Sequence, residues 1–532
     1  MARSTSTSLL CPALLTIGAL VSGPACAGGE VTDDTFTTAD DTAGDGDGDG
    51  DGDPTGDGDG DPTGDGDTTG DGDGDGPCTS IGCECDGSEA SCDPGLACAG
   101  GMCTSATCGN GIVESPAEDC DDNNDFEGDG CDNDCSYTEL LTVEAGAAHT
   151  CAVIEGGRVR CWGLNSVGQL GYGNLDNIGD NEPASSAGDV VVGEKALRIH
   201  VGAHHSCAYL MDETVRCWGH GSSGQLGLGN NENVGDDEFP FSVNPISINT
   251  DVLDVFAAGS HTCALVGAGN VRCWGLNNVG QLGYGNNTSL SIPLTVDLNL
   301  GGAVTLLATG RNHNCALLED GKVRCWGMNN RGQLGYGNTE NIGDTETPGS
   351  VVPVPILPQG LPDGTPVTQI ALGSEHSCVL YETGDVLCWG DNFYGQLGQG
   401  DTTTVGDNET LATLFPIDLG GDATNLALGK HHTCALMTDG GVKCWGRNLY
   451  GQLGRGDIAH IGDDEVPADI GTIELGGTAN WITTGDYHTC AVVNGHQIRC
   501  WGFNDYGQLG YGDTAVRGDN ETPAEAGSIK LL

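Results

Sequence analysis

A histidine two residues before a cysteine, with a second cysteine ten residues further on in Cys-Trp-Gly, recurs seven times in this chain. The pairs are Cys151 and Cys161, Cys207 and Cys217, Cys263 and Cys273, Cys315 and Cys325, Cys378 and Cys388, Cys434 and Cys444, and Cys490 and Cys500. They are led by His149, His205, His261, His313, His376, His432 and His488. One imidazole with two thiolates could supply three zinc ligands. A histidine could act as a general base, and two facing cysteines could form a disulfide. Catalysis needs one distinctive constellation. Seven copies at one offset mark a scaffold part instead, so the histidines read as structural and the cysteines as seven disulfides. No phosphate-binding loop or nucleophile elbow accompanies them. The reading is therefore no catalytic residue, no metal and no enzyme.

The elements that position these residues follow from their flanks. In the fourth unit, apolar residues from Leu317 to Val323 flank Glu319-Asp320-Gly321, a three-residue hairpin loop with glycine at the left-handed position. An even offset across an odd loop sets the two cysteines opposite each other on one face, as a cross-strand bridge requires. Each bridge is worth about 2–3 kcal/mol on the chain-entropy model. First cysteines are spaced 56, 56, 52, 63, 56 and 56 residues apart, without helical patterning. Short strands at that period predict an all-β, seven-bladed β-propeller over residues 138–532. In each hairpin the histidine and cysteines share one face and the tryptophan takes the other.

The N-terminal part is a different kind of chain. Of 532 residues, 77 are Asp or Glu and 18 are Lys or Arg, a formal net charge of −59, which excludes a nucleic-acid-coating surface. No Lys or Arg stands between Arg3 and Arg158. Residues 1–27 read as a signal peptide, with an apolar run from Leu9 to Val21 too short to span a membrane. Ala25-Cys26-Ala27 fits ordinary cleavage, and Gly23-Pro24-Ala25-Cys26 fits a lax lipobox with Cys26 lipidated; the second is preferred because a long spacer follows. That spacer, 28–77, is Gly/Asp-rich and reads as a solvated, disordered linker. Its Asp-Gly run from Asp45 copies half of a calcium loop but has Gly56 where the closing glutamate belongs. Residues 78–136 carry ten cysteines and almost no apolar content, so five disulfides of unknown connectivity are expected. An even number of pairable thiols in an exported chain implies disulfides and an extracytoplasmic location, outer-membrane-anchored or secreted. No cofactor is read, though calcium could sit on Asp121, Asp122, Asp125, Asp129, Asp132 and Asp134, or on the Gly-Asp-Asn-Glu-x-Pro loops and their variants beginning at Gly179, Gly235, Gly343, Gly406, Gly462 and Gly518. A plain turn is the preferred reading of those loops.

Two resemblances add to this. Cys108-Gly-Asn-Gly-Ile-Val-Glu114 with Glu118-Asp-Cys120 and Gly128-Asp-Gly-Cys131 resembles the myxobacterial cysteine-rich repeat, a small extracellular disulfide module. His-Thr-Cys-Ala, Val-Arg-Cys-Trp-Gly-x-Asn and Gly-Gln-Leu-Gly-Tyr-Gly resemble the regulator of chromosome condensation repeat family, which implies a seven-bladed propeller. The cysteine pairs are an addition that suits export. The family's namesake exchanges guanine nucleotides and binds chromatin; a secreted acidic version is expected to do neither. Exported relatives that inhibit β-lactamases imply a protein-binding disc.

Comparison among the seven units locates the recognition residues. Positions alike in all units hold the fold, and positions that vary are free for binding. Between Trp-Gly and Gly-Gln-Leu-Gly, units five to seven carry Phe393, Tyr394, Leu449, Tyr450, Phe503 and Tyr506, with Arg447 and Asp505, where units one to four have smaller or polar residues. Aromatics with an arginine are what protein-binding hot spots use. The expected function is a lipid-anchored, monomeric binding module, inhibitor-like or adhesive, for an unidentified protein or cell-surface macromolecule. The alternatives are an enzyme with a propeller-top site acting on an extracellular polymer and a passive surface component. Finally, two extended segments precede each later His-x-Cys, but only one precedes the first. The C-terminal residues 528–532 are therefore expected to pair as a strand in the blade built by 139–163, closing the ring.

Overall fold

The computed structural model describes residues 136–531, together with Cys120 and the backbone of two short paired strands, Leu96–Ala99 and Met102–Ser105. The expected signal peptide with Cys26, the expected linker, the five bridges expected in the cysteine-rich segment and the acidic loop considered for calcium lie outside the described residues. Seven three-stranded antiparallel sheets follow one another along the chain. Blade one is Leu140–Ala145, His149–Ile154 and Arg158–Gly163. The second strands of blades two to seven begin at His205, His261, His313, His376, His432 and His488. The first strand of each sheet faces a central channel of about 320 Å³. Blade seven packs on blade one in the hydrophobic cluster that holds Val143, Ile154, Trp162, Cys490 and Leu509, so the ring is closed.

The hairpins form as their sequence dictates. In blade four, the Leu318 N–H donates to the Lys322 carbonyl at 2.9 Å across Glu319-Asp320-Gly321, and Gly321 has φ +78°. The register sets every first cysteine directly opposite its expected partner. Cys151 faces Cys161, Cys207 faces Cys217, Cys263 faces Cys273 and Cys315 faces Cys325. In the later blades Cys378 faces Cys388, Cys434 faces Cys444 and Cys490 faces Cys500. The paired Cα atoms lie 4.1 Å apart and all seven bridges are made. The seven tryptophans of Cys-Trp-Gly are wholly buried on the opposite face. Each blade therefore presents a disulfide to one neighbour and an indole to the other, which offsets its small apolar core.

The closure expectation is corrected. The Ile529 N–H donates to the Ile498 carbonyl at 3.0 Å, so the C-terminal segment is the outer edge of blade seven, not a strand of blade one. The same single bond recurs from Val190 to Val159 in blade one and from Ile473 to Val442 in blade six. The extended segment that precedes each inner strand thus belongs to the blade before it. An alternating pattern records that a segment is half-buried, not which edge it pairs with. The C-terminus still touches blade one, because the Ser185 N–H donates to the Lys530 carbonyl at 3.1 Å and Arg160 Nη1 donates to the Leu531 carbonyl.

Candidate functional site

The repeated polar residues are consumed inside the ring. Each histidine Nε2 meets the side-chain oxygen that follows the histidine of the next blade: His149 with Ser206 at 3.0 Å, His261 with Asn314 at 2.8 Å, His488 with Thr150 at 3.0 Å. His205, His313, His376 and His432 pair likewise with Thr262, Ser377, Thr433 and Thr489, which completes a circle of seven. Those hydroxyls donate their only hydrogen to a glutamine carbonyl, as Thr262 does to Gln225 at 2.8 Å. They must therefore accept from the imidazole, which fixes the Nε2–H tautomer. The same glutamine carbonyls accept the indole N–H of the tryptophans, Trp274 to Gln225 at 3.0 Å. All seven Nδ1 atoms are buried with no hydrogen-bond partner among the described residues. Burial pushes His205, His313, His432 and His488 down to about 3 and His261 to about 4, and holds His149 and His376 well below the ordinary range. Neutral, buried and hydrogen-bonded, these imidazoles are interblade rivets.

The Gly-Asp loops are also interblade parts. A Cβ on Gly235, where φ is +94°, would lie 2.4 Å from the Gly168 carbonyl oxygen of the previous blade. The Gly173 N–H donates to the Gly235 carbonyl at 3.0 Å. The glycine is required by this close approach, which agrees with the turn reading. Two of the loops, Asp236-Asp237-Glu238 and Asp463-Asp464-Glu465, bring three carboxylate oxygens within 4.8 Å of one another.

Variable residues converge on one mouth of the channel. The loop after each Trp-Gly is rigid: Asn392 Oδ1 accepts the Leu397 N–H at 2.9 Å and Gln396 Oε1 accepts the Tyr394 N–H at 2.9 Å, with the same pairs in blades six and seven. The residues between those fixed points project from a set frame. Phe393 meets Tyr394 edge-on at 4.9 Å, Tyr450 meets Phe503 at 5.0 Å, and Phe503 meets Tyr506 at 6.0 Å. The Arg447 guanidinium lies over Tyr394 at 5.3 Å and Tyr450 at 5.5 Å, joining blade five to blade six. Phe393, Leu449 and Tyr506 are 69%, 48% and 38% exposed, and Asp505 is exposed beside them. The eight residues singled out in the sequence thus lie along three neighbouring blade loops on one face.

Sequence reasoning missed a second contributor to this face, the two residues before each structural histidine. They read Ala-Ala, Ala-His, Gly-Ser, Arg-Asn, Ser-Glu, Lys-His and Asp-Tyr around the ring. Their variability was the available signal. Tyr487 lies 4.9 Å beneath Arg447 and 5.6 Å from Tyr450, while Lys430 sits 5.0 Å over the same Tyr487 ring. Arg311 Nη1 reaches from blade four to Asp486 Oδ2 of blade seven at 2.7 Å. His431 lies tilted against Tyr394 at 5.3 Å; burial pushes it down to about 4, helped by the charges of Lys430, Arg447, Arg311 and Arg331.

Deeper in the channel, blades one to three place Glu144, Arg198, His200 and Asp254 together. His200 Nε2 is 3.3 Å from Asp254 Oδ1 and Arg198 contacts the other oxygen. Glu144 lines the lumen, yet surrounding protein desolvates it and pushes it up to about 7 against the pull of His200. Burial alone would lower His200 and raise Asp254, but their pairing outweighs it, so His200 is raised and Asp254 lowered.

A family model described as an RCC1-like domain matches residues 236–530, and regulator of chromosome condensation repeats match residues 142–169 and 156–209. A domain of unknown function, DUF4215, matches residues 90–136. The ultraviolet-B receptor UVR8 of Arabidopsis thaliana is 33% identical over 321 residues, covering 60% of this chain and 68% of the receptor. The human E3 ubiquitin-protein ligase HERC2 is 29% identical over 326 residues, 60% of this chain and only 6% of the ligase. Among solved structures, yeast RCC1 (Prp20) bound to Kap60 shares the fold with a TM-score of 0.53 and 21% identity, covering 73% of this chain and 84% of that one. Human WBSCR16 gives a TM-score of 0.54 and 22% identity, covering 68% of this chain and 92% of its own.

Proposed function

We propose, from the premise that this chain belongs to the RCC1-like propeller family, that it is an exported binding module, lipid-anchored through Cys26, whose recognition surface is the channel mouth at blades four to seven. The observation that carries this is a division of labour. The repeated His and Trp side chains and Gln carbonyls are spent on interblade bonds, and the Cys side chains on bridges within each hairpin. The variable positions place exposed Phe393, Leu449 and Tyr506 next to Arg447 on a single face. Large apolar side chains left in water beside an arginine are the composition of a protein-binding hot spot. Seven disulfides support an oxidising compartment. Solved relatives are described with protein partners: yeast RCC1 with Kap60, and Prp20p with Gsp1p and histones.

The test is the triple substitution of Tyr394, Tyr450 and Tyr506 by Ala. Capture of the partner by the full-length protein should fall while thermal unfolding stays nearly unchanged. A large drop in the unfolding temperature would assign these rings to packing instead.

A second reading, an enzyme acting on an extracellular polymer, draws on the same mouth. Arg311, Lys430, His431, Asp486 and Tyr487 form a polar set unlike its counterparts in other blades. Turnover of an extracellular polymer by the wild type, lost in His431→Ala, would favour it.

A further inference from the structure

Cations are scarce in this chain, and most have an acceptor. Arg160 pairs with Asp189 at 2.8 Å, Arg272 with Asp297 at 2.7 Å and Arg311 with Asp486 at 2.7 Å. Lys443 donates to the Leu419 and Pro467 carbonyls at 2.8 and 2.9 Å. Arg447 and Lys430 differ. Among the described residues neither side chain has a carboxylate or carbonyl acceptor, and Arg447 Nε is buried without a partner. What holds them is aromatic: three tyrosine rings lie 4.9–5.5 Å from the Arg447 guanidinium, and Lys430 shares one of them at 5.0 Å. Cation–π contacts fix a guanidinium without using its N–H donors. In a chain of 77 acids and 18 bases, two neighbouring cations with their donors free are a local reversal of the field. His431, held down partly by the charges of Lys430 and Arg447, registers that same positive potential.

We propose that Arg447 and Lys430 form a carboxylate receptor that takes an acidic, apolar-flanked peptide segment of a partner protein; this rests on the binding function proposed above. Arg447 accepts the carboxylate in the two-pronged geometry its planar fork favours, and Lys430 adds a second charge. Phe393, Leu449 and Tyr506 receive the apolar side chains on either side. The occupant is a peptide because the cations are flanked by exposed apolar rings. A long polyanion, such as a sulfated glycan, would gain the cations but meet the repulsion of a −59 chain over its remaining length.

The experiment is selection of a random peptide display library on the full-length, disulfide-intact protein and on its Arg447→Gln, Arg447→Lys and Lys430→Gln variants, followed by anisotropy of the selected peptides and their Asp/Glu-to-Asn/Gln versions. Expected is enrichment of acids flanked by apolar residues, with affinity lost about tenfold or more on neutralising the peptide or on Arg447→Gln. Arg447→Lys should retain part of it, and added salt should weaken it. Enrichment without acids, or affinity indifferent to Arg447→Gln and Lys430→Gln, overturns the receptor. If those peptides still depend on Tyr394, Tyr450 and Tyr506, the binding function survives. A sulfated oligosaccharide displacing no peptide but binding to the wild type overturns the choice of occupant. No enrichment, with the triple tyrosine variant behaving as wild type, overturns receptor and binding function together.

Discussion

Seven buried neutral imidazoles should make this ring unfold in mild acid. The five whose folded values are defined are pushed to about 3 or 4, and His149 and His376 also lie well below their ordinary value of 6.5. Their Nδ1 atoms have no acceptor or water-facing route in the ring, so a proton there would be an unpartnered buried charge. In the unfolded chain each histidine takes up a proton near pH ~6.5. Unfolding below that pH therefore binds protons, and stability rises with pH: it is fully present above about pH 6.5 and is lost as the pH falls toward the folded values. One proton changes stability by ~1.4 kcal/mol per pH unit, so seven give ~10 kcal/mol per unit across the window. Glu144, raised to about 7, acts in the opposite direction and returns about one proton's worth, and His431, pushed down to about 4, adds about one back. A net slope of ~10 kcal/mol per unit compares with a total stability of ~5–15 kcal/mol for an ordinary domain. The transition should therefore lie within about one to two units below pH ~6.5 even with the bridges intact. Guanidinium unfolding followed by the fluorescence of the buried tryptophans, at a series of pH values from about 7 to about 5, reads the slope. His313→Gln should remove about one of the seven protons. Stability that stays within ~1 kcal/mol over that range would refute the assignment of these histidines as neutral, unpartnered rivets.

The remaining predictions concern covalent and terminal structure. Non-reducing peptide mapping of the purified protein should link each of the seven cysteine pairs within its own hairpin, and free thiols at any of them would contradict the register. Truncation after Ala526 should cost about 3–5 kcal/mol, since Ile529 and Leu531 are buried and the segment bonds to Ile498, Ser185 and Arg160. An unchanged melting temperature would show that this edge segment is dispensable.

Much of the fold was legible because it is repeated. A hairpin whose cysteines must oppose each other fixes its own register, so blade number, bridge pairing and the burial of tryptophan opposite the disulfide followed from spacing alone. The outer segment was legible as a strand but not in its place. Residues 471–475 lie four residues before the inner strand of blade seven and about twenty-five after Trp445, yet they hydrogen-bond to Val442. Proximity in sequence suggested the wrong blade. The loop aromatics were found because they sit in a visibly variable stretch. Tyr487 and Lys430 were passed over because each lies within two residues of a structural histidine. Glu144 and His200 were invisible for another reason: they occupy different blades, and only the ring brings them together.

These outcomes share one physical cause. A repeat that must bond to copies of itself on both sides has to satisfy its buried donors and acceptors within the ring, since an unpaired buried group costs about 1–3 kcal/mol each time it recurs. The circuit of His Nε2, hydroxyl (the Asn314 amide in blade four), Gln carbonyl and Trp N–H does so in all seven blades for every one of its members, leaving only each imidazole Nδ1 without a partner among the described residues. The residues beside that circuit, two before each histidine and the pair ahead of each Gly-Gln-Leu-Gly, are held in rigid loops and lie outside the repeated bonds. They differ from blade to blade while the circuit stays the same, and those of blades four to seven meet at one mouth. Asymmetry is therefore the mark of function in this molecule. It is concentrated where Arg447 sits among Tyr394, Tyr450 and Tyr487 with its donors unspent. A cation outside the repeated circuit, fixed by rings that are also outside it, is where an anionic partner would find its site already organised.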